Sequence, residues 1–265
     1  MNLEQSPYNF DNFKETPLWE LAQAVRADDV NEIKQILKDK KLEIDLKEPK
    51  YNQTLLSLAI QNEKRNAFLE LLNVGASPNE LVGNPKDATP FIYGIKKQNF
   101  DCNLFYAENM LQHGANPNLE IINPKPQFYF ENSFPLLAAI GYTHDGGKEC
   151  LDLVKLLVDN GAGINCCYKY IDSELCEGVI TKSLMQNSIE TLKYFVIEKK
   201  INIPNIVIIY GEEDKSTRDA FGLRAILISK YYKFEDYERD GKKYDESQLR
   251  KTRDEILEYL DKINK

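Results

Sequence analysis

Apolar residues recur along this chain as paired short stripes separated by polar turns. In "WELAQAVRADDVNEIKQILKDKK" (19–41), Leu21, Ala24, Val30, Ile33, Ile36 and Leu37 fall at helical spacing. "TLLSLAIQNEKRNAFLELLNVGA", opening at Thr54, repeats the arrangement of a short apolar helix, a polar turn and a second amphipathic helix. Thr89 opens "TPFIYGIKKQNF", followed by "ENMLQHGA", and Phe134 opens "FPLLAAIGYTHDGG", followed by "LVKLLVDNGA". There Leu153, Val154, Leu156 and Leu157 mark one buried face. The segment 178–200 carries Ile180, Ile189, Leu192, Phe195 and Val196 in the same slots. A sixth pair is predicted over 219–232 and 246–263. Its last helix places Leu249, Ile256, Leu257 and Leu260 on one side and charge elsewhere, as the end of a stack requires.

Three of the second helices end alike: "LLNVGASPN" (71–79), "MLQHGANPN" (110–118) and "LLVDNGAGIN" (156–165). Self-similarity of this kind marks a repeat architecture. The terminal glycine closes each helix in a left-handed conformation that carries no Cβ penalty. The first helices carry a small residue at the sixth position (Ala59, Gly94, Ala139), which predicts close approach of neighbouring helices. The segments 19–41 and 178–200 end in Lys-Lys where the others have Gly-Ala, and cations suit the negative end of a helix dipole.

These units resemble ankyrin repeats, which open Thr-Pro-Leu-His-Leu-Ala-Ala and close Leu-Leu-Leu-x-x-Gly-Ala-x-x-Asn. Thr54 to Gly75 fits without a gap, and the closing pattern matches at Gly75/Asn79, Gly114/Asn118 and Gly161/Asn165. The resemblance covers 19–263. It implies an all-α solenoid of about six helix-turn-helix units forming one domain over 1–265. A capping repeat is expected at 19–45, central repeats at 54–203 and capping helices at 219–263. Gly75 to Gly114 spans 39 residues and Gly114 to Gly161 spans 47, against an ankyrin period of about 33. Register places the extra residues near 100–103, at 142–147, and above all at 119–133. In ankyrin arrays the connections project as β-fingers and, with the first helices, line a concave face that contacts partners. The resemblance therefore nominates Ser57, Gln61, Tyr93 and Lys97 on the helices, and Phe128, Tyr129, Phe130, Tyr168 and Tyr170 on the fingers. Aromatics on a projecting loop serve as interface anchors or else fold back over the array, and both readings stand. The run Ile206–Tyr210 is β-branched and predicts an extended finger, buried more readily than binding.

Composition narrows the partner. Net charge is −8, which argues against a phosphate-backbone binder, so no nucleic-acid partner is expected, and favours a basic protein through encounter rate. The N-terminus has no secretory pattern, and no apolar run approaches a membrane span. The expectation is a cytoplasmic monomer. The five cysteines are odd in number and form no secreted framework. Cys166, Cys167 and Cys176 lack the spacing of a zinc site. The two histidines are His113, before a closing glycine, and His144 in the inserted turn near Cys150. A thiolate–imidazole pair there is the one nucleophilic reading, and a polar Gly-Gly turn explains the same residues without it. No nucleotide-loop, zincin or EF-hand motif occurs. The sequence thus points to a non-enzymatic protein-interaction module with no catalytic residues, cofactor or metal. Its likeness to stand-alone bacterial ankyrin arrays adds an immunity role against a cognate toxin as an alternative. Self-association through the apolar finger at Ile208 is a third.

Overall fold

A computed structural model describes residues 6–83, 88–98, 102, 104–122, 132–140, 150–169, 176–186, 188–203, 208–211, 218–223, 227, 237–239, 242–244 and 247–263. Helices come in pairs: α1 (Trp19–Ala27) with α2 (Val30–Asp39), α3 (Leu55–Gln61) with α4 (Arg65–Asn73), and α5 (Pro90–Gln98) with α6 (Phe105–Gln112). Next come α7 (Pro135–Ala139) with α8 (Leu151–Asp159), then α9 (Val179–Met185) with α10 (Ile189–Lys193), which runs into a π-helical turn at Tyr194–Glu198. The last helix is α11 (Ser247–Ile263). First helices stack on one another in chain order, from α1 to α9; in the other layer α2 packs on α4, and α8 on α10. The protein is a mostly helical repeat solenoid, as the hydrophobic pattern predicts. Its strands form two-stranded antiparallel hairpins: β1 (Ile121–Ile122) with β2 (Asn132–Ser133), β3 (Cys167–Lys169) with β4 (Cys176–Gly178), β5 (Ile208–Gly211) with β6 (Arg218–Phe221), and β7 (Tyr237–Arg239) with β8 (Lys242–Tyr244).

The local chemistry of one unit shows why these residues fold so. Thr54 caps α3 reciprocally: the Ser57 N–H donates to Thr54 Oγ1 at 3.2 Å and the Thr54 N–H donates to Ser57 Oγ at 3.1 Å. The closing glycines Gly75, Gly114 and Gly161 have φ of +94°, +83° and +89°. That turn lets the N–H of the following alanine reach back to the helix, from Ala76 to Leu71, Ala115 to Met110 and Ala162 to Leu157, each at 2.9 Å. The alanines are buried, so Gly-Ala is a turn residue followed by a packing residue. Gly94 serves packing alone: a Cβ there would lie 3.0 Å from the Tyr106 Cβ and would collide with the Met110 methyl.

The recurring asparagine joins one unit to the next. Asn79 donates to the Gly114 carbonyl and accepts from the Asn116 N–H, both at 2.8 Å. Asn118 does the same one unit on, to Gly161 at 2.8 Å and from Gly163 at 2.7 Å. Asp45 holds the first rung, accepting from the Ser77 N–H at 2.9 Å.

Two departures from the sequence reading lie near the C-terminus. Residues 219–221, assigned to a helix by their apolar content, are strand β6, paired with β5 from Ile208↔Phe221 to Gly211↔Arg218. The β-branched run before them supplies the partner strand, and pairing overrides helical propensity. Leu223 and Leu227, helical and buried, belong to the main core. In the fifth unit Lys200 takes the left-handed position itself, at φ +50°, and the Ile201 N–H reaches Phe195, one residue farther than in the glycine units because of the π turn. The main core runs from Phe10 to Leu260. Phe10 and Phe13, in a 3-10 turn, close one end against α1. At the other end α11 packs on α10 through Ile256 and Leu260, and Thr252 donates to Glu190 at 2.5 Å.

Candidate partner-binding face

The four helix residues expected to contact a partner do different things. Ser57 does not reach the surface: it is fully buried, and its hydroxyl donates to Gln53 Oε1 at 2.8 Å. The correction follows from the capping box, which turns Ser57 inward to satisfy the start of α3. Gln53 is buried as well, and its Nε2 donates to the Tyr93 hydroxyl at 3.3 Å. It is fixed from behind by the buried Glu48 carboxylate, which accepts N–H groups from Lys50 at 2.8 Å, Tyr51 at 2.9 Å and Gln53 at 3.1 Å. A polar relay thus runs from the finger base of the second unit to Tyr93 on α5 of the third. Tyr93 and Gln61 are half-buried, and Lys97 pairs with Glu63 at 2.8 Å. The hydrogen bond from Lys97 holds the exposed Glu63 carboxyl below its usual range.

Two features beside Tyr93 carry no sequence signal. Tyr8 packs its ring edge-on against Tyr93, with centroids 6.2 Å apart, and its carbonyl accepts from Asn62 Nδ2 at 2.9 Å. The contact joins residues distant in sequence, which periodicity cannot reveal.

The finger candidates Phe128, Tyr129, Phe130 and Tyr170 lie outside the described residues, as does the 142–147 turn. Tyr168 is in strand β3, its backbone opposite Glu177. The fingers carry other apolar residues that the sequence reading passed over. Val82, bridged to Ala88, and Ile121 on β1 form a small core with Ile92, while their neighbours Leu81 and Ile122 face outward at 40% and 63% exposure. Strand alternation puts one member of each pair inside and one outside. The signal was an apolar dipeptide shortly after Asn79 and after Asn118. Lower on the array, a cleft of about 510 Å³ is lined by Glu43, Ile44, Asp45, Leu46, Lys47 and Glu80. Burial pushes the Asp45 carboxyl up, with Glu80 and Glu43 adding to it against the Ser77 N–H and Lys47.

No family model matches the sequence, and no curated protein matches it. Among solved structures, an ankyrin repeat domain from Acinetobacter baumannii AYE is similar in fold, with a TM-score of 0.51 and 21% identity over 68% of this chain and 80% of that one. The fold is ankyrin-like.

Within the ankyrin-like array the nucleophile reading fails at its sulfur. Cys150 is bonded to Cys102, their Cα atoms 5.2 Å apart, so it offers no thiolate. The odd count and the spacing of the cysteines gave no sign of this pair. Stacking sets the turn before α6 beside the start of α8, although 48 residues separate them in sequence. Cys167 is also disulfide-bonded. Cys166 is free, and burial pushes its thiol up to about 12, the opposite of an activated cysteine. His144 lies outside the described residues. His113 bridges the array, its Nδ1 2.7 Å from the Asn109 carbonyl and its Nε2 3.3 Å from Asn73 Oδ1 of the preceding unit. Among the described residues no group of three His, Cys, Asp or Glu comes together as metal ligands, and no helix is long and apolar enough to cross a membrane.

Proposed function

We propose that this protein is a non-enzymatic interaction module that binds a protein partner across its first helices and finger tips. The observation that carries the reading is the pair of outward apolar residues, Leu81 and Ile122, on successive fingers. Each stands beside a buried partner in a small rigid core, so each is presented and not merely left over. Apolar side chains held this way are suitable interface anchors. Tyr93, Gln61 and Lys97 would extend the surface onto the helices, and Phe128, Tyr129, Phe130, Tyr168 and Tyr170 are proposed as finger contacts on the sequence pattern alone. The net charge of −8 favours a basic partner and affects association rate more than affinity. Neutralisation of a cognate toxin is one form this activity could take. The test is capture from the native source with Leu81→Asp/Ile122→Asp beside wild type. Both proteins are expected to melt alike, because neither side chain is in the core, and the variant is expected to lose the captured protein. Equal capture by both would remove the fingers from the interface.

A further inference from the structure

We propose that the slot formed by Tyr93 and Asn62 recognises an aromatic side chain presented on a tight turn of a partner protein, and that Tyr8 fills this slot in the free chain. The inference rests on the interaction-module reading and names what one part of its surface accepts. Ser6–Asn9 is a turn: the Asn9 N–H donates to the Ser6 carbonyl at 3.3 Å, and Asn12 Nδ2 donates to the same carbonyl at 3.1 Å. Pro7 and Tyr8 are its central residues, and proline presets the first of them. The turn therefore displays one ring at its tip.

That ring lies against a prepared surface. Tyr93 is held by Gln53, and Gln53 by Ser57 and the turn around Glu48, so the aromatic wall is ordered before anything binds. Asn62, exposed at the end of α3, supplies an amide donor to the turn's backbone. An edge-on ring and one backbone carbonyl are contacts that any Pro-aromatic turn can offer. The adjoining charges, Lys97 and Glu63, neutralise each other, so the slot selects for ring and backbone over charge.

The anchoring of the segment is uneven. Phe10 and Phe13 are buried and close the array, while Tyr8 is only half-buried. The tip can leave the slot while the cap stays in place. Tyr8 itself meets the slot through one ring pair and one hydrogen bond to an exposed side chain, together a factor of roughly 10–100, while Asn9 beside it is tied to Arg26 of α1 at 3.3 Å. A partner turn must overcome that factor, so removing the Tyr8 ring should strengthen binding.

The experiment uses the full-length chain, isotopically labelled, as wild type, Tyr8→Ala and Tyr8→Ala/Tyr93→Ala. The probe is the peptide acetyl-Gln-Ser-Pro-Tyr-Asn-amide, with its Tyr-to-Ala analogue as control. Circular dichroism confirms that the variants are equally helical. Tyr8→Ala, which removes the ring and keeps the residue-8 carbonyl, should show saturable shifts of the Asn62 side-chain amide and of α5, with a Kd about two- to tenfold below that of wild type. The double variant and the control peptide should give none. Absence of shifts in Tyr8→Ala, equal Kd for wild type and Tyr8→Ala, or equal shifts with the control peptide would each overturn the proposal. Capture dependent on Leu81 and Ile122 is read separately. If capture persists while the peptide fails, this inference falls alone; if capture is absent altogether, the broader reading falls with it.

Discussion

Backbone strain at single residues separates positions that are tolerated from positions that are used. Asp28 and Glu63 occupy matching turns between the paired helices, both left-handed, at φ +59° and +57°. Side chains are disfavoured there and glycine is not. Glu63 gives in return an exposed ion pair, so Glu63→Gly should raise the urea midpoint. Asp28 gives more: its carboxylate accepts from the Ala67 N–H at 2.7 Å and from Asn66 Nδ2 at 2.9 Å, capping α4 of the next unit. Loss of such a cap costs about 1 kcal/mol, so Asp28→Gly should lower the midpoint despite the relieved turn. Asp45 gives a pH test. Its carboxyl is raised in the folded state, chiefly by burial, so the folded chain holds that proton more tightly than the unfolded one. Its contribution to stability is present in acid, below the ordinary carboxylate value, and is lost as pH rises through the raised folded value. Asp45→Asn removes this loss and matches Asn79 and Asn118 one and two units on. Denaturation at several pH values should find the variant more stable at pH 7, by about 0.5–1.5 kcal/mol for one improved hydrogen bond, with the difference shrinking in acid.

Elements, more than contacts, were legible in the sequence. The helix pairs follow from apolar spacing and the capping signals, and Thr54, Gly75, Gly114 and Gly161 do what their types predict. The helix predicted at 219–221 failed because local propensity knows nothing of the strand waiting at Ile208–Gly211. The site was read less well for the same reason. Ser57 looked like a surface polar residue until the cap geometry turned it inward, and Tyr8 meets Tyr93 only because the chain end folds back over α3. The asparagines were seen as part of a motif, but their partners lie a whole unit away. Asn118→Ala should therefore weaken the joint between the third and fourth units and leave the helices themselves intact. Two lost hydrogen bonds predict about 1–2 kcal/mol, measurable as an earlier unfolding midpoint and faster amide exchange at Gly163.

On the scale of the whole molecule, the cysteine bond changes how stability is distributed. Cys102 and Cys150 close a loop containing α6, the third finger and α7. Restricting the unfolded chain across 48 residues of separation is worth about 4 kcal/mol in the chain-entropy description. Urea melts without reductant should show Cys150→Ser unfolding well below wild type, and reductant should lower wild type at least as far, because it also opens the bond of Cys167. Equal midpoints for the variant and the oxidised wild type would show that the Cys102–Cys150 bond contributes nothing.

The asparagine rungs have a mechanical meaning that their chemistry does not announce. They run along one edge of the stack from Asp45 to Gly163 and stop, because the fifth unit ends in Lys199-Lys200 and Asn165 makes no such bond among the described residues. Up to the fourth unit the edge behaves as a stiff rail; beyond it, among the described residues, α7 packs on α9 and α8 on α10 without an asparagine rung between the units. Under a bending load the array should flex at the seam after Asn165, as a rod with one compliant joint, so that a partner gripping both halves would feel the stiffness of that seam and not of the whole.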